Sequence, residues 1–264
     1  MFIDTHVHIF SHKIAAKAVE HLAEHYQIPV RYKGTREEYH TLARQAGVKT
    51  ALFFTVATKP DQVRAANDWA ITQSGNELIG LGTLHPDYEP IDDEIARLKE
   101  AGVRGVKFHP DFQQFFLDEE RALAIYERLA KDFFIIFHMG DDNRPGKTHH
   151  ATPERLANVL DIFPHLTVIA AHMGGYCMWD RAAANLVGEN VYFDTSSCFG
   201  FLPDEDFRTL IREHGAHRVL MASDYPYSSP GEEIEGLKKL GLNDEELEAI
   251  TGLNAAQLLS KMGL

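Results

Sequence analysis

The chain has 264 residues, 44% of them apolar, enough to bury a substantial core, and it is expected to form one domain over residues 1–264. Its formal charge is −13, with 39 acidic against 26 scattered basic residues, which argues against nucleic acid and anionic membranes as partners, because both need clustered lysine and arginine. Cys177 and Cys198 form no CxxC pair, no apolar run reaches the ~20 residues of a membrane span, and the N-terminus lacks signal-peptide zones, so a cytoplasmic chain with reduced thiols is expected.

The first predicted strand, at Phe2–Ile3, runs directly into Asp4, His6 and His8. Side chains two apart on a strand share a face, so both imidazoles project the same way. Taken alone, such a pair reads as two solvated histidines. Only further donors downstream make it half of a metal site. The connection over residues 11–49 has room for helices at about 11–26 and 36–46, expected to fold over one mouth of the domain. Seven more strands are expected at Thr50–Val56, Leu78–Leu84, Val103–Phe108, Phe133–Phe137, Leu166–Ala171, Asn190–Phe193 and Arg218–Ala222, spaced from Thr50–Val56 onward by about a strand plus a crossover helix. Helical periodicity fills the gaps at Asp92–Ala101, Glu119–Lys131 and Thr152–Phe163, the last with Thr152 as N-cap and Pro153 at the first helical position. Runs such as FFIIF and TVIAA are apolar without alternation, as in parallel strands covered on both faces. Eight such units favour a closed (β/α)8 barrel over an open doubly wound sheet.

Polar residues gather where these strands end, the end at which barrels of this kind carry their chemistry. His6 and His8 follow the first strand, His85 the third, Lys107 and His109 the fourth, His138 the fifth, His172 the sixth, DTSS the seventh and Asp224 the eighth. Any one of these histidines could be a core or rim residue with a hydrogen-bond partner; the joint pattern points to convergence. If His172 faces inward, Val168 and Ala170 do too; if Asp224 does, so do Leu220 and Ala222. Several imidazoles with one carboxylate suit Zn2+, with Mn2+, Co2+ or Fe2+ as alternatives, and His6, His8, His138 and Asp224 would leave a coordination position open.

In order, DTHVH, GVKFHP, AAHMGG, DTSS, ASDYP and GLNAAQLL resemble the amidohydrolase superfamily, in its amidohydrolase-related (amidohydrolase 2) branch. That branch includes metal-dependent hydrolases and the aminocarboxymuconate-semialdehyde decarboxylase group. The resemblance implies a distorted TIM barrel with an extra helical segment between strands 1 and 2. It implies His6, His8 and His138 as ligands of one divalent ion, with Asp224 as ligand or proton acceptor. His172 becomes an acid/base, or a ligand should a second ion bind. Strand 4 carries Lys107 and His109 in KFHP, where some relatives place a carbamylated lysine and others a glutamate; this looks more like the mononuclear pattern, with Lys107, His109 and His172 left as second-ion or substrate contacts. The implied reaction is hydrolysis of a small amide, lactone or ester, with or without a carboxylate, by a metal-activated water. Nonoxidative decarboxylation, or a related lyase or hydratase reaction, at the same ion is the alternative. Arg144 and His149 in GDDNRPGKTHH, and Tyr176 and Trp179 in GGYCMWD, are expected substrate contacts, against solvated or packing roles. A homodimer is what relatives of this type suggest.

Overall fold

Parallel pairing runs through the whole chain. The computed structural model describes residues 1–75, 77–141 and 148–264. One ladder joins β1 (Phe2–His8), β2 (Val48–Phe54) and β3 (Leu78–Gly80). A second joins β4 (Gly82–Thr83), β5 (Gly105–Phe108), β6 (Phe134–Phe137), β7 (Thr167–Ala170), β8 (Tyr192–Asp194) and β9 (Val219–Leu220), every pair parallel. β3 and β4 are one stretch of chain broken at Leu81, whose N–H still donates to Phe53 O at 2.9 Å. Across the seam between last and first strands, Thr5 N donates to Met221 O (3.0 Å), Asp224 N to His6 O (2.9 Å) and His8 N to Tyr225 O (2.8 Å). The ring expected of a (β/α)8 barrel follows from these pairings.

The helices in chain order are α1 (Ala15–Tyr26), α2 (Arg36–Ala46), α3 (Val63–Gln73), α4 (Ile91–Glu100), α5 (Pro110–Gln113), α6 (Glu120–Leu129), α7 (Pro153–Ile162), α8 (Trp179–Leu186), α9 (Asp204–His214), α10 (Pro230–Lys239), α11 (Asp244–Glu248) and α12 (Asn254–Lys261). Those expected at 36–46, 92–101, 119–131 and 152–163 are present with ends shifted by about two residues or fewer. Thr152 has the extended backbone of an N-cap and Pro153 opens α7, although Thr152 makes no side-chain cap bond. No helix of the described residues is long and apolar enough to cross a membrane.

The barrel interior is filled by Ile3, Leu52, Phe54, Leu81, Phe134, Ile136, Ile169 and Leu220, against Ala255, Leu258 and Leu259 of α12. The outward faces of the strands, including Val106, Phe108, Ile135 and Phe137, pack instead on Ile125 and Leu129 of α6 and Leu156 and Val159 of α7. Val168 and Ala170 belong to this outer layer, so the expected parity of β7 is reversed; Ile169 is the inward residue. The cause is local. His172 and Met173 have φ of 59° and 52°, a left-handed step that breaks strand alternation and turns His172 back over the barrel. Leu220 does face inward, as expected from Asp224.

Gly140 closes β6 onto the loop that carries Tyr176. Its φ is 103°, and a Cβ there would lie 2.2 Å from Tyr176 N. Replacing Gly140 by Ala is therefore expected to destabilise the protein by roughly 2 kcal/mol or more through strain and overpacking. Gly75, with nothing within 4 Å of a Cβ, is the control. Denaturant titrations in which Gly140→Ala and Gly75→Ala match would contradict this.

Candidate metal centre

Asp4 stitches the two ends of the chain together beneath the site. Its Oδ1 accepts Ser223 N (2.9 Å), and its Oδ2 accepts Ser223 Oγ (2.6 Å) and Tyr39 O–H (3.0 Å). Burial pushes this carboxyl up to about 6, against the bonds that favour its charge. The stitch places the residue after Ser223 beside β1. Asp224 Oδ1 lies 3.3 Å from His8 Nε2 and 3.4 Å from His6 Nε2, and its Oδ2 accepts from Ser197 Oγ. One donor atom from each of His6, His8 and Asp224 falls within 4.8 Å of the others.

Hydrogen bonds set the tautomers. His6 Nδ1 lies 2.8 Å from Asp194 Oδ2, an obligate acceptor, so Nδ1 carries the proton and Nε2 presents a lone pair towards Asp224. His172 Nδ1 lies 3.1 Å from the carbonyl of Ser196, which again requires the proton on Nδ1. Neutral His172 Nε2 is then an acceptor, and at 3.1 Å it accepts a hydrogen bond from His138 Nδ1–H. His138 Nε2 is left as a bare lone pair, buried, with no hydrogen-bond partner among the described residues. An unmatched buried acceptor costs about 1–3 kcal/mol, which coordination would relieve.

Burial first, and then the ammonium of Lys107, pushes His6 down to about 4, so it is neutral and competent as a ligand near pH 7. Burial likewise holds His138, His109 and His172 below the ordinary histidine value. Burial alone would raise Asp194 and Asp224, but His6 and neighbouring histidines override it and keep both well below the usual carboxylate range. Lys107 is pulled down to about 8 by burial; its Nζ sits 3.5 Å from His6 Nε2 and 4.8 Å over the Phe54 ring.

The four donors expected to act together are not gathered as one group. His138 instead falls with His109 and Asp111, their donor atoms within 4.8 Å of one another, because its Nδ1 is engaged by His172 and its ring stacks on His109 at 3.8 Å. His109 is itself committed, with Nε2 2.8 Å from Tyr26 O–H and Nδ1 accepting Phe112 N at 3.4 Å. The donor chemistry fits a divalent ion nonetheless: two lone-pair imidazole nitrogens, a second histidine on the H-x-H face and an ionised carboxylate.

His8, His109, His138, His172 and Asp224 floor a cavity of about 370 Å³ walled by Leu22 and Tyr26 of α1, Phe112, Tyr176, Phe199 and Tyr227. Tyr176 takes its expected place there. Trp179 does not: its Nε1 donates to His172 O at 3.0 Å, and the ring faces a separate surface groove. His149 also lies outside the cavity, in a surface depression with its Nδ1 3.6 Å from Asp141 Oδ1. Arg144 lies outside the described residues. Sequence reasoning passed over Asp194, Asp4 and Tyr26. Asp194 was visible as the acid of DTSS at a strand end, but nothing in its spacing pairs it with His6.

The buried histidines set the response to acid. His6 and His214, both held at about 4, are neutral in the fold, while the unfolded chain takes up protons below the ordinary 6.5. Their contribution is fully present above 6.5 and is lost as pH falls towards 4. His109, His138 and His172 act in the same direction. Asp4 and Glu233 oppose them, since burial raises both and their contribution weakens as pH rises, for Asp4 between 3.8 and about 6. The metal-free protein is therefore expected to melt at higher temperature near pH 7 than near pH 5. An equal or lower Tm near pH 7 would contradict the neutral-histidine assignment.

A family model described as Amidohydrolase matches residues 3–261. No curated protein matches the chain. Among solved structures, it is similar to an uncharacterised TIM-barrel protein from Bordetella bronchiseptica, at TM-score 0.78 and 17% identity, covering 100% of this chain and 99% of that one. A dihydroxybenzoic acid decarboxylase from a Polaromonas species, solved with manganese and 2-nitroresorcinol, aligns at TM-score 0.72 and 17% identity over 98% and 96% of the two chains. A candidate 2-pyrone-4,6-dicarboxylic acid hydrolase from Pseudomonas putida aligns at TM-score 0.69 and 19% identity over 100% and 98%.

Proposed function

The chain belongs to the amidohydrolase family, and on that premise we propose that it is a divalent-metal-dependent hydrolase of a small, largely apolar amide, lactone or ester. The observation that carries this reading is the convergence of His6, His8 and Asp224 donor atoms within 4.8 Å of one another, with His8, Asp224 and the unpartnered Nε2 of His138 lining one aromatic-walled cavity. Zinc is the proposed ion, with manganese, cobalt or iron(II) as substitutes, and when bound it supplies a Lewis acid that polarises a carbonyl and acidifies water. His6 and His8 would hold it with Asp224, and His138 would join through Nε2.

The chain's own groups handle the protons. Asp224, kept ionised by the neighbouring imidazoles, accepts the proton of the attacking water. His172 serves as acid once its Nε2 is released from His138 Nδ1: it then receives the water's proton by way of Asp224 and gives it to the leaving group, its transient charge favoured by Asp224 and Asp194. Asp194 orients the His6 imidazole, accepting from its Nδ1, and anchors the His172 backbone, accepting from its N–H at 2.9 Å. Tyr26, Phe112, Tyr176 and Tyr227 exclude water and present flat apolar faces to the substrate.

The same apolar walls favour a second reading, nonoxidative decarboxylation, because they desolvate a carboxylate more than a transition state with dispersed charge. The Polaromonas neighbour, a decarboxylase with bound manganese, is in keeping with it. Incubation of the zinc-loaded protein in ¹⁸O-labelled water with a panel of aryl esters, lactones, amides and hydroxylated aromatic acids separates the two. Hydrolysis incorporates ¹⁸O into the product acid without releasing carbon dioxide. Carbon dioxide release without ¹⁸O uptake would replace this reading with the second.

A further inference from the structure

Glu233 has no role in the chemistry above, and its placement is costly. Helix α10 begins with a capping box in which Ser229 N donates to Glu232 Oε2 (3.0 Å) and Glu232 N to Ser229 Oγ (3.3 Å). Glu232 is further occupied by Arg31 at 2.6 Å and Tyr32 O–H at 3.0 Å. The next residue, Glu233, turns inward, is 3% exposed and lines the cavity that holds the histidines. Its carboxyl bonds Ser228 on one side, while Oε2 is buried with no hydrogen-bond partner among the described residues. Neither the cap nor the packing of α10 needs a carboxyl there, and leaving one polar atom unmatched in an apolar wall costs about 1–3 kcal/mol.

We propose that Glu233 is a specificity-determining residue whose unmatched carboxyl oxygen binds a neutral hydroxyl group that the substrate carries apart from its reacting carbonyl. The charge around it decides the class of group. Asp4, Asp224 and Glu232 all act on Glu233, so an anionic substituent would meet repulsion from every carboxylate on that side. Arg31, a cation on the cavity wall, is already paired with Glu232. Burial, and then those same carboxylates, raise the Glu233 carboxyl and disfavour its charged form, which weakens its pull on an ammonium. A hydroxyl both donates and accepts and needs no charge on either side. The proposal rests on the reading of the site as one for small carbonyl compounds and narrows it to hydroxylated ones.

The test uses stable ketones as probes, so binding is read apart from turnover. Dissociation constants of acetophenone, 3- and 4-hydroxyacetophenone and their methoxy analogues are measured by calorimetry on the zinc-loaded protein. One hydroxylated isomer is expected to bind about tenfold more tightly than acetophenone, the value of one well-made hydrogen bond, while its methoxy analogue gains nothing. In Glu233→Leu that advantage should fall below about twofold with acetophenone unchanged, and Glu233→Gln, which keeps a donor and an acceptor, should retain most of it. An equal preference in Glu233→Leu would overturn the proposal. So would a wild-type protein indifferent to the hydroxyl, or a methoxy group that binds as well, and these two outcomes need no variant to fold. A hydroxyl preference in a protein that hydrolyses nothing would leave this anchor standing and remove only the proposed reaction.

Discussion

Asp224→Asn is expected to lower kcat by about 10²–10⁴-fold, the range for loss of a positioned proton acceptor. The backbone should be unaffected, because the bond that joins this segment to β1 runs from Asp224 N to His6 O and does not use the side chain. Asparagine keeps an oxygen near His6 and His8 and can still accept from Ser197, but it carries no charge. It therefore cannot take a proton from water and is a poorer donor to an ion. The measurement is kcat on the best substrate of the panel, with bound metal quantified in the same sample. Much weaker turnover with metal still partly bound is expected. A variant that keeps more than about a tenth of wild-type kcat would show that Asp224 is not the proton acceptor.

The second large effect is expected away from the donor atoms. Asp194→Asn should weaken metal binding by about 10–100-fold, as removal of a carboxylate behind a histidine ligand typically does. In the wild type the carboxylate, 2.8 Å from His6 Nδ1, fixes the proton on that nitrogen and frees Nε2. An asparagine that turns its amide N–H to Nδ1 would move the proton to Nε2 and remove the lone pair a metal needs. The same side chain also receives His172 N and the Ser196 hydroxyl, so the His172 orientation loosens as well. Competition with a chelator of known affinity reads the change directly. Unchanged affinity would mean that His6 is held by its strand alone.

Some of this was legible in the sequence because it depends on short-range rules. The H-x-H pair needs only strand alternation, and histidines that repeatedly follow apolar runs need only the rule that barrel chemistry sits at strand C-termini. Helices α4, α6 and α7 showed their apolar spacing and, for α7, the Thr152–Pro153 start, whereas α2 was expected only from the length of the connection. What escaped depends on backbone angles and on contacts across the ring. The reversal of β7 comes from left-handed His172 and Met173, non-glycine residues whose conformation no periodicity reveals. The break at Leu81 splits one predicted strand between two neighbours. Trp179, read as a pocket wall from its aromatic neighbourhood, supports the His172 carbonyl from behind. His138 was legible as a strand-end donor, but its link to His172 follows from a chain of tautomers that begins at Ser196.

Diffraction from zinc-loaded crystals at the zinc absorption edge bears most directly on the claim that residues from both ends of the chain hold one cation. A single anomalous peak is expected inside the cavity, with His6 Nε2, His8 Nε2, His138 Nε2 and an Asp224 oxygen each about 2.0–2.2 Å away. That geometry requires His138 to shift towards β1 while His172 moves or keeps its contact. A peak at any other place, or a map in which His6 and His138 turn their bare nitrogens away from each other with no ion between them, would contradict it.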